Sequence, residues 1–155
     1  MKNRYFYKLL FLLFTGLALP AAIAQQDVPK LFGKEITVYK TPTCGCCQAW
    51  VEYLGDEGFK VTAHDLTDVS HIKKNAGLVN PRLHSCHTAI VDGYVIEGHV
   101  PANDIKRLLT ERPPLLGLTA PGMPQYSPGM ASRIPKNYDV LSIGKQGKVA
   151  VFSGY

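Results

Sequence analysis

The 155 residues carry 17 Lys and Arg against 12 Asp and Glu, a formal net charge of +5. Lys2, Arg4 and Lys8 fall within the first 24 residues, where no acid occurs, so the remainder holds 14 bases against 12 acids and a net charge of +2. That length suits one domain of ordinary core, and so few clustered bases exclude the electrostatic footprint of a nucleic-acid binder.

The chain opens with those three bases and an apolar run, Leu9 to Leu19, interrupted only by Thr15 and Gly16. Ala22-Ile23-Ala24 then supplies small residues in the spacing of a cleavage site. The pattern predicts a signal peptide over residues 1–24 and a mature chain beginning at Gln25. Tyr5 to Ala24 approaches the ~20 residues that span a bilayer, which leaves an uncleaved anchor as the alternative. The short apolar core and the small residues after it favour cleavage, and export without a retained membrane segment.

Residues 25–34 read as a polar lead-in. Glu35 to Tyr39 gathers β-branched and aromatic residues into a strand that ends just before Pro42. Trp50, Val51 and Leu54 then recur at helical spacing, with Gly55 and Gly58 as stop signals. Phe59 to Leu66 forms a second strand, and a polar helix or turn follows from Asp68 to Ala76. Thr88 to Val91 and Tyr94 to Glu97 flank Asp92-Gly93, a hairpin signal. Ile105, Leu108 and Leu109 stripe a helix that begins at Pro101.

The order βαβαββα over residues 35–111 is that of a thioredoxin-like α/β domain. Residues 112–155 differ in composition. Six of the 11 prolines lie between Pro113 and Pro135, so regular structure is not expected there. The stretch repeats one context twice, Pro121-Gly122-Met123-Pro124 and Pro128-Gly129-Met130. Asp139 to Ile143 and Lys148 to Phe152, around Lys145-Gln146-Gly147, close the extension as a β-hairpin.

Three of the four cysteines sit in Cys44-Gly45-Cys46-Cys47, and the fourth, Cys86, lies in His84-Ser85-Cys86-His87. With Cys44 at a helix N-cap, Cys46 and Cys47 occupy the first turn, where unpaired N–H groups and the positive dipole end favour thiolates. Cys44 and Cys47 form the C-x-x-C of a dithiol oxidoreductase, in which Cys46 has no part. A third thiol argues for metal or for a more complex redox cycle. Cys86 and His87 stand where a thioredoxin-like fold usually carries a cis-proline, and both residues are metal ligands.

Four converging thiolates select Cu(I) or zinc. The C-x-C-C spacing suits a zinc tetrahedron poorly. Sulfurs bridging several Cu(I) ions tolerate it, and four Cu(I) with four thiolates are neutral, an advantage when buried. Met123 and Met130 are thioether donors or, equally, fillers of a small core. Among the histidines His87 is the first candidate ligand, ahead of His84 and then His99, while His64 and His71 read as solvated. Trp50, Tyr53, Phe59 and Tyr94 read as core or as walls of the site.

Taken together, the Thr41-to-Cys47 motif with Trp50, Ser85-Cys86-His87-Thr88, the run Asp92 to Pro101, Gly117-Leu118 and the two Pro-Gly-Met turns resemble the CopG-type periplasmic copper-resistance proteins, a CxCC family. The resemblance runs from about Ile36 to the C-terminus, with no departure at the cysteine or Pro-Gly-Met positions. It implies a thioredoxin-like domain whose C-terminal extension contributes to metal binding, in a monomeric periplasmic protein. It also implies copper handling, with interconversion of Cu(I) and Cu(II) as an oxidoreductase activity and a periplasmic efflux or delivery protein as partner. Carried over, the ligands are Cys44, Cys46, Cys47 and Cys86, with Met123, Met130 and His87 beside them. Two other readings stay open: a thiol-disulfide oxidoreductase using Cys44 and Cys47, and a disulfide-stapled interaction module.

Overall fold

The computed structural model describes residues 33–155. The signal peptide expected over residues 1–24 and residues 25–32 of the lead-in lie outside the described residues. Among those described, no helix is long and apolar enough to cross a membrane.

Strand β1 (Glu35–Lys40) buries Ile36 and Val38 on alternate positions, as the two-residue period of a strand requires. It leads through Thr41-Pro42-Thr43 into helix α1 (Gly45–Asp56). Cys47, Trp50 and Leu54 recur three or four residues apart and, with Tyr53, form the buried face of α1. The chain returns in β2 (Lys60–Asp65), parallel to β1, and passes through α2 (Ser70–Asn75) and a single 3-10 turn, Pro81–Leu83.

The hairpin of β3 (Thr88–Val91) and β4 (Tyr94–Glu97) turns at Asp92-Gly93, both at positive φ, and β3 lies antiparallel to β1. Helix α3 (Ala102–Glu111) follows and buries Ile105, Leu108 and Leu109. The order β2-β1-β3-β4, with one parallel and two antiparallel junctions, is compatible with the thioredoxin-like α/β unit that the sequence predicts.

One expectation is overturned. Residues Leu115–Thr119, within the proline-rich stretch, form a strand, β5, parallel to β4. Pro113 and Pro114 lie just outside the ladder, and Gly117 interrupts the apolar run for a steric reason. A β-carbon there would overlap the carbonyl oxygen of Val95 on the neighbouring strand, so only glycine permits this close approach. Beyond it β6 (Asp139–Gly144) and β7 (Val149–Gly154) form the expected terminal hairpin, and all seven strands make one sheet, β2-β1-β3-β4-β5-β6-β7.

The larger core lies against α1 and α3, where Ile36, Val38, Trp50, Leu54, Ile96, Ile105, Leu108 and Leu118 are all essentially inaccessible. Each such side chain contributes about 1.5–3 kcal/mol by its removal from water. A smaller cluster joins Val95 and Ile143, from strands β4 and β6, to Leu78 and Leu83 in the segment between α2 and β3. The β1–α1 junction and the segment before β3 are thereby fixed on rigid elements, and these two places carry the cysteines.

Candidate metal centre

Cys44 is the N-cap of α1 in extended conformation, and its side chain makes no capping hydrogen bond. No acidic residue stands in the first turn. Free N–H groups and the helix dipole therefore face Cys46 and Cys47 without a competing carboxylate. Cys47 is fully buried, whereas Cys44, Cys46 and Cys86 are partly accessible.

The four sulfurs lie within 4.8 Å of one another. Cys44 and Cys47 are joined as a disulfide, while Cys46 and Cys86 are free thiols. Sγ of Cys46 is 3.6 Å from that of Cys44. The cysteine that a simple dithiol motif leaves over is thus packed within the same group of sulfurs.

Cys86 reaches this group because its neighbours are held from below. The Ser85 N–H donates to Glu97 Oε1 at 2.6 Å, and Glu97 also takes hydrogen bonds from Lys73 Nζ at 2.5 Å and Thr88 Oγ1 at 2.6 Å. Lys73 and Glu97 are both buried. A charge pair buried this deeply persists only when its remaining polar valences are met, and the Ser85 amide and Thr88 hydroxyl meet them.

His87 and His99 complete a second group with Cys86. Nδ1 of His87 stands 3.3 Å and Nε2 of His99 3.2 Å from Cys86 Sγ. Nδ1 of His99 lies 2.8 Å from the carbonyl oxygen of Pro128 and so carries the proton that it donates, leaving the Nε2 lone pair toward sulfur. The His87 ring packs against Trp50 with centroids 4.4 Å apart, and its Nε2 is buried with no hydrogen-bond partner.

Burial, reinforced by the nearby His99 and Lys73, holds His87 well below the ordinary histidine range. Burial likewise lowers His99, against the opposing Pro128 carbonyl. Both imidazoles are therefore neutral near pH 7, the form in which histidine binds metals. Burial also pushes the Cys86 thiol up to about 11, so a metal entering here displaces its proton.

The extension packs on both halves of the site. Gly122 donates its N–H to the His84 carbonyl at 3.0 Å and accepts a hydrogen bond from the Ser85 hydroxyl. Gly129, at φ +86°, lies so close to α1 that a β-carbon would stand 2.7 Å from Cys46 O and 2.8 Å from Trp50 N. The methionines follow directly in each turn. Met123 is 58% exposed, which excludes core filling for that residue, and Met130 is half-buried.

The other candidates stand elsewhere. His84 directs Nε2 to the Leu78 carbonyl at 2.8 Å, a structural role. His64 is exposed on β2 and stacks on Tyr39, and His71 is exposed on α2. Trp50, Tyr53, Phe59 and Tyr94 are all buried, Trp50 serving also as a wall against His87. His99, ranked last of the three by sequence, is brought against Cys86 together with the first-ranked His87.

Comparisons with known proteins agree with this architecture. Residues 83–130, from the turn before Cys86 to Met130, match the family model described as a protein of unknown function, DUF411. Two solved structures, both of copper resistance protein CopG, in forms 1 and 2, superpose with a TM-score of 0.73 at 41% sequence identity. The alignment covers 79% of this chain and 98% of each of those. No curated protein matches.

Proposed function

Because this chain belongs to the CopG copper resistance protein family, we propose that it is an exported, periplasmic copper-binding protein that holds Cu(I) through Cys44, Cys46, Cys47 and Cys86. The mutual approach of four sulfurs within 4.8 Å carries this reading. Thiolates are the donors that prefer Cu(I), and the C-x-C-C run suits sulfurs shared among several ions better than one closed tetrahedron. Four Cu(I) would balance four thiolates in a site shielded by Trp50 and the extension.

The residues around the sulfurs divide the remaining work. The first turn of α1 turns its free N–H groups toward Cys46 and Cys47, and Glu97 fixes the segment that presents Cys86. Met123 and Met130 are thioether donors carried on turns fastened to either side, and His87 is the imidazole adjacent to Cys86 in the segment before β3. The protein acts as a monomer and passes its copper to a periplasmic efflux or delivery protein.

The Cys44–Cys47 disulfide favours a redox component to this role. Oxidation of the two thiolates to the disulfide releases two electrons, enough to reduce two Cu(II) to two Cu(I). A dithiol reductant of the exported compartment then restores the pair. A thiol-disulfide oxidoreductase working without metal is the second reading that the same bond supports.

Loading the reduced protein with Cu(I) under anaerobic conditions tests the proposal. Several coppers per chain, lost on Cys86→Ser, are expected. One copper per chain excludes the cluster, and metal-free protein with full dithiol activity and no dependence on Cys86 establishes the second reading instead.

A further inference from the structure

We propose that Cys86, His87 and His99 form a separate mononuclear Cu(II) subsite, one that remains complete when Cys44 and Cys47 are joined as a disulfide. It deepens the copper reading above and rests on it. The disulfide takes two of the four sulfurs out of metal binding, yet it removes no donor from this second group, whose three ligand atoms also lie within 4.8 Å of one another.

The donor chemistry differs between the halves. Four thiolates suit Cu(I), whereas two neutral imidazoles and one thiolate suit Cu(II), a borderline ion. The spacing fits as well. A sulfur and a nitrogen bound to one first-row ion at ~2.3 and ~2.0 Å in tetrahedral array stand about 3.5 Å apart. The two observed separations from Cys86 Sγ are 3.3 and 3.2 Å, so closing around an ion asks for a few tenths of an ångström of adjustment.

Two further features are those of a prepared site. The Pro128 carbonyl fixes the His99 tautomer that leaves Nε2 free toward Cys86, which is the outer support a metal-bound histidine usually has. His87 has no hydrogen bond at Nε2 and presents Nδ1 to Cys86, so the nitrogen facing the sulfur is the one this group offers to an ion. The carbonyl that orients His99 belongs to the second Pro-Gly-Met turn, and the extension therefore serves the imidazole half directly.

The test uses the mature chain with the Cys44–Cys47 disulfide formed, verified by two free thiols per molecule, and titrates it anaerobically with Cu(II). Expected are one Cu(II) per chain, an intense thiolate-to-copper visible band, and nitrogen hyperfine structure from two imidazoles in electron paramagnetic resonance. His99→Gln should remove one nitrogen and weaken binding by at least about 10-fold, since disturbing even the outer support of a metal ligand costs that much. Cys86→Ser, at a partly accessible position, should abolish the band and keeps the test intact where His99→Gln fails to fold.

A spectrum unchanged in both variants overturns the proposal. So does rapid bleaching of the copper signal with loss of both free thiols. Cu(I) loading of the reduced protein is measured in parallel. Its failure with Cu(II) binding intact sinks the thiolate cluster alone, and the converse sinks only the subsite.

Discussion

Glu97 on β4 accepts the backbone N–H of Ser85 at 2.6 Å, so a fully buried carboxylate holds the residue next to Cys86. The same carboxylate pairs with Lys73, which leaves no slack in either side chain. Glu97→Gln strands the Lys73 charge and weakens the anchor of the Cys86 segment. A loss of about 3–5 kcal/mol is expected in urea denaturation, as for one partner removed from a buried pair. Lys73→Met placed on Glu97→Gln should recover part of that loss, and a larger additive loss would show that the two groups are not coupled. Copper affinity should fall in Glu97→Gln although neither residue touches the metal.

Gly129 joins the extension to α1 at a point with no room for a side chain. Gly129→Ala meets two obstacles: the left-handed φ of +86°, which costs about 1–2 kcal/mol outside glycine, and overlap with Cys46 O and Trp50 N. Gly122→Ala meets only the first, since its φ is +69° and no atom lies within 4 Å of a β-carbon there. Gly129→Ala should therefore unfold at the lower temperature of the two and release copper faster, because the turn bearing Pro128 and Met130 must move off the helix. Equal melting temperatures would show that the turn shifts without cost.

Much of this site is legible in the hairpin register. Val91 pairs with Tyr94 and Thr88 with Glu97 about the Asp92-Gly93 turn. Counting outward by the same rule sets His87 opposite Gly98 and Cys86 opposite His99, so the turn signal already contained the Cys86–His99 contact. The α1 cysteines were legible for a similar reason, since N-cap and first-turn positions follow from the helix start. The Lys73–Glu97 pair was not. It joins a short polar helix to a strand across the fold, and neither local periodicity nor spacing connects them. Strand β5 was hidden because its prolines and Gly117 argue against a strand, whereas the close approach to Val95 requires that glycine.

The β3–β4 turn predicts an acid dependence of stability. Asp92 accepts a hydrogen bond from Lys34 Nζ at 2.6 Å and another from Arg112 at 2.9 Å, and these, Lys34 first, hold its carboxyl below the usual range. A carboxylate whose folded pKa is lowered stabilises the fold above its unfolded value, ~3.9, and that contribution vanishes as pH falls through the folded pKa. The carboxylate is partly exposed, so solvent screening limits the effect to about 1 kcal/mol or less. Asp92→Asn keeps the positive φ, which asparagine tolerates. It should be less stable than wild type at pH 7 and converge on it as pH falls through the lowered folded pKa of Asp92. Parallel denaturation curves at every pH would remove Asp92 from the account.

Trp50 is the chain's single tryptophan, and it is placed to report on the metal. Its ring is fully buried, its Nε1 donates to the Val100 carbonyl at 3.0 Å, and its face lies 4.4 Å from His87. Copper bound at the Cys86 half would sit one imidazole away, and copper bound by the first-turn sulfurs would sit one helical turn away. Either position is within contact range for quenching, so copper should extinguish most of the emission, and a chelator should restore it. Because the indole cannot rotate without breaking the Val100 bond, a change in solvent exposure would shift the emission maximum, whereas metal quenching leaves it fixed. Full emission at saturating copper would place the metal away from both groups of donors, and Cys86→Ser should keep most of its emission when Cu(II) is added to the disulfide form.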